Sequence, residues 1–318
     1  MGAVLISRNE QVLFKNAYGW ADAEWEVPNT TDTIFRLGSL SKQFTAAAVV
    51  QLAQQGKLKL DDPVWRYDAN LPETWKSVTL HQLLSHTSGI PNYTSQSGFW
   101  PTIVRPYTPQ ELVNVVREKP LDFTPGSRWA YSNTNYILLG IVIEKVSGRK
   151  YADYMREEVF RPLHMQNSGY DSPTPLLKHR AHGYVPSGNT MANAPYIDMT
   201  VPYSAGALYS TVDDLLKWDQ ALSGEVFLKR EWRDKMFTGY VPTTVGGSYG
   251  YGWFVTKQSG RTEYGHEGGI PGFNTMMARY PDDKTCVIVL SNLATPEIGK
   301  IAADLASFVF GDPVSTSH

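Results

Sequence analysis

Ser39 and Lys42 lie three residues apart where a glycine-led loop runs into an apolar, helix-forming segment. Residues at that spacing share one face of an α-helix, so the Lys42 amine comes within reach of the Ser39 hydroxyl. The start of a buried helix also offers free N–H groups and a favourable dipole to a developing oxyanion. If Lys42 is partly desolvated, its pKa falls and the amine can accept or relay the Ser39 proton. The pair predicts a nucleophilic serine that needs no histidine; the alternative is an N-cap serine followed by a surface lysine.

A second copy of the Ser-x-x-Lys spacing, at Ser147 and Lys150, serves as an internal control. It follows an apolar helical run and contains Gly148, which is typical of a helix C-terminus. We interpret this copy as a helix exit with solvated charges. The spacing alone therefore does not identify a nucleophile.

A second motif contains Tyr131 and Asn133 and lies between a Pro-Gly turn signal at 125–126 and a helical pattern that begins at Tyr136. A phenol at this place can share a proton with Lys42 and serve as a general base and then as an acid. The amide of Asn133 can hydrogen-bond a substrate amide or orient the lysine. Because the chain has 18 tyrosines, one tyrosine by itself would be interpreted as packing.

A third motif, residues 264–269, contains His266 and the glycines Gly265, Gly268 and Gly269. Glycine density beside a strand lets a substrate approach the backbone closely. Alone, the segment would be interpreted as a glycine-rich turn.

Together, and in this order, the three motifs resemble the serine β-lactamase and penicillin-binding-protein family. The nearest branch contains the class C β-lactamases and the DD-peptidases and esterases related to them. The resemblance covers almost the whole chain, and flanking segments at 19–22, 56–63, 83–89 and 250–253 also fit and are interpreted as structural. Among these, we interpret His86 as a turn-stabilising side chain rather than a catalyst.

The resemblance implies a role for each motif residue. Carried over position by position, it makes Ser39 the nucleophile, Lys42 its proton partner and Tyr131 the base. It makes Asn133, His266 and Gly268 substrate contacts. The oxyanion hole that it implies consists of the backbone N–H groups of Ser39 and Gly269. The expected chemistry is two-step acyl transfer through an acyl-enzyme, on a small-molecule or peptide substrate with an ester or amide bond. It calls for no metal and no organic cofactor.

The third motif departs from the family's pattern. Many β-lactamases carry Lys-Thr-Gly or Lys-Ser-Gly there, whereas this chain has His266, Glu267 and Gly268. The usual lysine supplies a permanent positive charge for a substrate carboxylate, while a histidine is cationic only part of the time near neutral pH. Glu267 adds a negative charge and removes a hydroxyl donor. We therefore expect a DD-carboxypeptidase- or esterase-like serine hydrolase with weak β-lactam hydrolysis. The alternatives are a true class C-type β-lactamase and a non-catalytic, penicillin-binding-like peptide binder.

The strands that must position these motifs come from both ends of the chain. Runs at 4–6 and 12–14 predict an N-terminal hairpin, and runs at 249–255, 274–279 and 285–291 predict further strands. Helices are predicted over 40–55, 80–84, 109–117, 136–146, 151–159, 212–222 and 298–308. The helix over 40–55 is apolar nearly all round, so we expect it to be buried.

These elements predict an α/β (α+β) fold, in which an antiparallel sheet is flanked by helices and a mainly helical domain is inserted, as in β-lactamases and transpeptidases. We assign 1–60 and 205–318 to the sheet domain and 61–204 to the helical domain, with the active site in the cleft between them. Aromatic residues of the inserted region are candidates for the acyl pocket, with core or surface packing equally open for each: Tyr93, Trp100 and Tyr107.

Composition argues against several other classes of function. The 318 residues carry a formal net charge of −2 without a block of like charges, so neither nucleic acid nor an anionic membrane is expected as a partner. The single cysteine, Cys286, excludes an intrachain disulfide and a Cys-ligated zinc site, and we interpret it as a buried strand thiol. No run reaches the roughly 20 apolar residues that span a bilayer.

No secretory signal is recognised, since Met1 leads almost directly into strand-like sequence. The sequence leaves open whether the protein is cytoplasmic or, with an export segment removed, periplasmic or secreted. It also leaves the oligomeric state open.

Two other hydrolase patterns are weaker. Residues 246–250 match Gly-x-Ser-x-Gly, but that elbow must open a helix, and a strand-like run follows here. His179 and His182 have a possible metal-ligand spacing, yet no carboxylate pair or His-Glu-x-x-His supports a site, so we predict surface histidines.

Overall fold

One large sheet is built from both ends of the chain. The computed structural model describes residues 1–174, 176–295 and 297–313. Its strands are β1 Gly2–Arg8, β2 Gln11–Tyr18, β3 Trp20–Asp22, β4 Val27–Pro28, β5 Phe35–Arg36, β6 Gly169–Tyr170, β7 Tyr184–Ser187, β8 Thr190–Asn193, β9 Leu208–Ser210, β10 Val241–Pro242, β11 Ser248–Tyr249, β12 Phe254–Gln258, β13 Arg261–Ile270, β14 Phe273–Tyr280 and β15 Thr285–Ser291. The large sheet is antiparallel in the order β10-β11-β12-β13-β14-β15-β1-β2.

The predicted N-terminal hairpin is confirmed. β1 and β2 pair antiparallel across Asn9 and Glu10, whose φ angles are 50° and 65°. Positive φ at both central residues is the turn geometry that matches the twist of a two-residue hairpin. β1 lies between β2 and β15, where Cys286 is buried as predicted. Burial raises the pKa of the Cys286 thiol well above its usual value.

Helices cover both faces of this sheet. They are α1 Ser41–Gln54, α2 Leu80–Leu84, α3 Pro109–Asn114, α4 Asn133–Ser147, α5 Tyr151–Tyr154, α6 Tyr203–Gly206, α7 Val212–Ser223, α8 Arg230–Phe237 and α9 Ile298–Phe310. Two apolar cores result: a main one around α1 and a smaller one between the sheet and α9. The predicted α/β fold, with an antiparallel sheet flanked by helices, is confirmed.

The burial predicted for α1 is also confirmed, since every residue from Ser41 to Ala53 is buried. The helix contacts α4, α6 and α8, and its Phe44 ring stacks on Trp218 of α7 with centroids 4.5 Å apart. Surrounded by helices and sheet, α1 holds even its polar side chains away from water. That position creates the environment of Lys42.

The structure differs from the sequence prediction around residues 249–255. The predicted single strand is instead the hairpin of β11 and β12, because Gly252 has φ of +77° and turns the chain against α1. A β-carbon at Gly252 would lie 2.8 Å from the carbonyl oxygen of Lys42, so glycine is needed for this contact. Helix α8 was not predicted from the sequence.

None of the helices in the described part of the chain is long and apolar enough to cross a membrane. The division into a sheet domain of 1–60 and 205–318 and a helical domain of 61–204 stays a prediction.

Candidate active site

Ser39 lies in a 3-10 turn, Gly38–Leu40, that leads directly into α1. Gly38 has φ of +54°, and a β-carbon there would lie 2.9 Å from the backbone nitrogen of Gly269 on β13. The glycine therefore allows the loop and the strand to come into backbone contact. Ser39, the next residue, is partly exposed and is held beside that strand.

Lys42 is fully buried on the first turn of α1. Its Nζ lies 2.9 Å from Ser39 Oγ, 2.8 Å from Asn133 Oδ1 and 2.8 Å from the carbonyl oxygen of Ala205. Burial holds the pKa of Lys42 well below its usual value, which favours the neutral amine. A neutral amine has two N–H groups and one lone pair. The oxygens of Asn133 and Ala205 only accept hydrogen bonds, so in the neutral form the lone pair is left to accept from the Ser39 hydroxyl, whereas an ammonium would donate to Ser39 Oγ.

The phenol of Tyr131 lies near enough to the Ser39 side chain for that side chain to affect its pKa. The centroid of its ring lies 4.9 Å from Lys42 Nζ. Burial raises the pKa of Tyr131 above its usual value, and the Ser39 side chain opposes that rise only in part. The phenol is therefore protonated near neutral pH, and burial disfavours the charged form of the amine. Of the two candidate bases, this arrangement favours Lys42 as the acceptor of the Ser39 proton and Tyr131 as a proton donor.

Asn133 is the first residue of α4, and its amide orientation is set by neighbours. Its Nδ2 donates to Thr94 Oγ1 at 3.1 Å, and its backbone N–H donates to Asn92 Oδ1 at 3.1 Å. With Nδ2 bound in this way, Oδ1 faces Lys42. Asn133 thus orients the lysine, which is one of the two roles considered from the sequence.

His266 lies behind these groups and is only 3% exposed. Its Nδ1 lies 2.6 Å from the Glu267 carbonyl oxygen, so Nδ1 carries the proton and donates it; Nε2 accepts from the Tyr249 hydroxyl at 3.0 Å. Burial is the main cause that lowers the pKa of His266 to about 3, and the charge of Lys42, when that residue is protonated, acts in the same direction. At pH 7 the ring is therefore neutral, whereas its ordinary pKa led us to expect a cation for part of the time.

Glu267 lies on the opposite face of β13 from His266, since side chains alternate along a strand. A β-carbon on Gly299 of α9 would lie 2.2 Å from Glu267 Oε1, so the carboxylate is against α9. Burial raises the pKa of Glu267. The negative charge expected from this residue is thus on the far side of the sheet from Ser39.

The last residues of β13 form an edge beside the Ser39 loop, because pairing with β12 ends at Gly265. A β-carbon at Gly268 would lie 1.9 Å from the carbonyl oxygen of Leu37, which explains the glycine there. The backbone of Gly269 lies against the residue that precedes Ser39. The two residues assigned to the oxyanion hole, Ser39 and Gly269, are therefore close together.

A cavity of about 190 Å³ opens beside Ser39. It is lined by Gly38, Ser39, Tyr93, Thr94, Phe99, Trp100, Asn133, Ile197, Val201, Pro202, Ala205, Gly206, Gly269, Ile270 and Pro271. As far as the structure describes the chain, none of these lining side chains carries a charge. Tyr93 and Trp100 were acyl-pocket candidates from the sequence, whereas the third candidate, Tyr107, packs with its ring centroid 5.7 Å from that of Phe99. A larger cavity of about 630 Å³ lies between α7, α8 and the β14–β15 turn, away from Ser39.

Sequence reasoning missed three residues that complete the site: Asn92, Thr94 and the Ala205 carbonyl. They lie in short loops and a one-turn helix, where no periodicity marks them, and a backbone carbonyl has no sequence signature.

The residues of the two weaker hydrolase patterns are not part of this site. Ser248 begins a strand that turns into another strand, and the side chain of His182 is 64% exposed. Among the described residues, no group of three or more His, Cys, Asp or Glu is arranged to hold a metal ion.

Comparison with known proteins gives matches over nearly the whole chain. The profile of a family described as Beta-lactamase matches residues 2–309. The Bacillus subtilis (strain 168) protein PbpX is 32% identical over 294 residues, covering 92% of this chain and 70% of that protein. The octameric penicillin-binding protein homologue from Pyrococcus abyssi is 30% identical, with a TM-score of 0.89 over 99% of this chain and 74% of that one. A D-stereospecific amidohydrolase from Streptomyces sp. is 28% identical, with a TM-score of 0.75 over 92% of this chain and 89% of that one.

Proposed function

We propose, from the premise that the chain belongs to the β-lactamase family, that it is a serine hydrolase acting through an acyl-enzyme on ester or amide bonds. Its activity would be DD-carboxypeptidase- or esterase-like, with weak β-lactam hydrolysis. One observation carries this proposal: the fully buried Lys42 amine, whose pKa burial lowers, lies 2.9 Å from Ser39 Oγ. A serine with such a neighbour is an activated nucleophile.

In acylation, Ser39 Oγ bonds to the substrate carbonyl carbon while its proton moves to Lys42 Nζ. The oxyanion that forms accepts hydrogen bonds from the backbone N–H groups of Ser39 and Gly269; one such donor is typically worth on the order of 10²–10³ in rate. When the bond to the leaving group breaks, Tyr131 donates its proton to the departing alcohol or amine. The Lys42 ammonium then returns a proton to Tyr131.

In deacylation the same groups act in reverse. Water enters beside Tyr131 and attacks the acyl carbon, and its proton passes to the pair formed by Lys42 and Tyr131. That pair returns one proton to Ser39 Oγ as the acid product leaves. Asn133 and Gly268 would border the bound substrate, with His266 supporting the strand from behind. The proposal calls for no metal or organic cofactor.

The lining of the cavity favours substrates with an uncharged acyl group over substrates whose carboxylate needs a cationic partner. Its lining is largely apolar, and the third-motif residue that would be a lysine in many β-lactamases is His266, which burial keeps neutral at pH 7. A carboxylate bound beside Ser39 would therefore lose water without gaining a fixed cation, which costs free energy. We accordingly rank esters and neutral amides above β-lactams and above peptides with a free C-terminal carboxylate, so within the proposal the esterase-like activity ranks above the DD-carboxypeptidase-like one. The similarity to an amidohydrolase also supports amide substrates.

A panel of p-nitrophenyl esters, D-amino-acid amides and peptides, and nitrocefin tests the proposal, with Ser39→Ala as the matched control. The best ester or amide should be hydrolysed with a kcat/KM at least about 10²-fold above that for nitrocefin, the size of one lost charge-assisted contact of about 3 kcal/mol. Mass spectrometry after a fluorophosphonate should show one adduct, on Ser39, that Ser39→Ala lacks.

Two results would overturn the proposal in different ways. Nitrocefin hydrolysis as efficient as that of the best ester or amide would make the protein a true β-lactamase. An unmodified Ser39, together with inactivity on the whole panel, would make it a non-catalytic peptide binder.

A further inference from the structure

His86 contacts Tyr131 and the two residues that flank Tyr131 in the chain, Ala130 and Ser132. The His86 carbonyl oxygen accepts the Ala130 N–H at 3.0 Å, and its ring Nδ1 accepts the Ser132 N–H at 3.3 Å. Its ring also lies against the Tyr131 ring, with centroids 4.4 Å apart. One fully buried residue therefore holds the backbone before the phenol, the backbone after it and one face of its ring.

The protonation state of His86 follows from its partners. Ser88 Oγ donates to Asn135 Oδ1 at 2.6 Å, which leaves the Asn135 amide nitrogen to donate to His86 Nδ1 at 3.2 Å. Because Nδ1 receives two N–H groups, the proton of the neutral ring is on Nε2. Burial holds the pKa of His86 well below its usual value, so the ring stays neutral. Among the described residues Nε2 has no hydrogen-bond partner. The ring centroids of Tyr136 and Tyr249 lie 5.1 and 4.9 Å from the centroid of the His86 ring.

Stabilising a turn accounts for the backbone of His86 but not for the contacts of its ring. Its φ of +57° is a conformation that glycine adopts at lower cost. This strained backbone conformation occurs at a residue whose ring contacts Tyr131 directly. Tyr131 itself lies in an irregular segment before α4, so its position depends on what packs against it.

We infer that His86 is a positioning residue that fixes the Tyr131 phenol against Ser39, so that the phenol can deliver its proton to the leaving group. The inference rests on the proposed acyl-enzyme function. It assigns to this histidine a role in the reaction beyond the turn, exerted through Tyr131 and without contact with substrate.

A double-mutant cycle between His86 and Tyr131 tests the inference. Asparagine tolerates positive φ and keeps an acceptor near the place of Nδ1, so His86→Asn removes mainly the ring. With a p-nitrophenyl ester we expect His86→Asn to lower kcat about 10²-fold, the typical effect of a small misplacement of a catalytic group, with KM changed less than about threefold. In the Tyr131→Phe background, the same substitution should change kcat less than about twofold, because the group to be positioned is absent.

An equal loss in both backgrounds would overturn the inference, since a purely structural role lowers activity with or without the phenol. His182→Asn, at an exposed histidine, is the matched control and should match wild type. Thermal unfolding identifies folded variants. If His86→Asn does not fold, Asn135→Ala takes its place in the cycle: it removes one donor to Nδ1, and its loss, about tenfold, should also vanish with Tyr131→Phe. Full activity of Ser39→Ala would instead reject the proposed function, whatever the cycle gives.

Discussion

The chain contains the Ser-x-x-Lys spacing twice, at opposite ends of two helices. Ser39 precedes α1, whereas Ser147 is the last residue of α4 and is followed by Gly148 at φ of +70°. Lys42 is fully buried, but the side chain of Lys150 is 82% exposed. The second copy is therefore the helix exit predicted from the sequence, and the two copies share a spacing but not an environment.

The difference indicates that burial, rather than spacing, lowers the pKa of the lysine amine. Lys42 is surrounded by Ser39, Asn133 and Ala205 in a place without bulk water, so its charged form is disfavoured. Lys150 has water around it and a carboxylate, Glu144, at 3.7 Å. An exposed ion pair of this kind contributes little to stability.

The largest effect we predict separates the two lysines. Lys42→Met should lower kcat/KM for the best ester by about 10²–10⁴-fold, the usual range for a lost general base. The matched variant Lys150→Met should stay within about twofold of wild type, since an exposed pair contributes little. Steady-state kinetics with both purified variants measure this. A comparable loss in Lys150→Met would show that the two environments do not differ in the way described.

A second prediction concerns the groups beside the two lysines. Asn133→Asp places a carboxylate at the acceptor position 2.8 Å from Lys42 Nζ, which should raise the pKa of the lysine by about one to three units. Because the active form is the neutral amine, activity lies above that pKa, and the acidic limb of the kcat/KM profile should move to higher pH. At pH values below the raised pKa, the loss is about tenfold for each pH unit. Glu144→Gln, beside Lys150, should leave the profile unchanged; an Asn133→Asp profile superimposable on wild type would contradict the role of Lys42 as base.

The third prediction compares two glycines with positive φ. Gly38→Ala brings a β-carbon within 2.9 Å of the Gly269 nitrogen, so it should displace an oxyanion donor and lower kcat by up to about 10²-fold. At Gly148 a β-carbon would have no described atom within 4 Å, so Gly148→Ala should cost about 1–2 kcal/mol of stability from its backbone conformation and leave kcat unchanged. Kinetics and urea unfolding of both variants measure the contrast. A lower kcat in Gly148→Ala would count against it.

Most helices and several strands of the large sheet could be predicted from the sequence, whereas β13, which carries the third motif, was not among the predicted strands because its glycines are typical of a turn. Residues 285–291 and 80–84 have the predicted bounds, and α1 is buried as its apolar composition indicates. The charge state of His266 could not be predicted, since it depends on burial and on the Tyr249 hydroxyl, which comes from another strand. The side of the sheet on which the Glu267 side chain lies could not be predicted either, because it depends on how β13 packs against α9.

What the sequence could not supply in the site itself were contacts from irregular segments. The Ala205 carbonyl and the Thr94 hydroxyl set the orientation of the Lys42 amine and the Asn133 amide, yet neither belongs to a recognisable motif. Their placement depends on the packing of loops around α1 and α4. Motif spacing indicates which residues are candidates for the reaction, whereas tertiary packing decides their protonation states.

The smallest effect we predict is a pH-dependent difference in stability between the two lysines. Burial lowers the pKa of Lys42 in the folded protein from a usual value of 10.5, so between these two values the unfolded chain binds one more proton than the folded one. The free energy of unfolding of wild type should therefore rise with pH across that window, by up to about 1.4 kcal/mol per unit from this group. The Lys42→Met variant lacks this pH-dependent contribution to the free energy of unfolding, whereas Lys150→Met keeps it. Urea unfolding at pH 7, 8 and 9 should give Lys42→Met a shallower slope than both other proteins. Three parallel slopes would mean that Lys42 is charged when folded, and the amine could not then take the Ser39 proton.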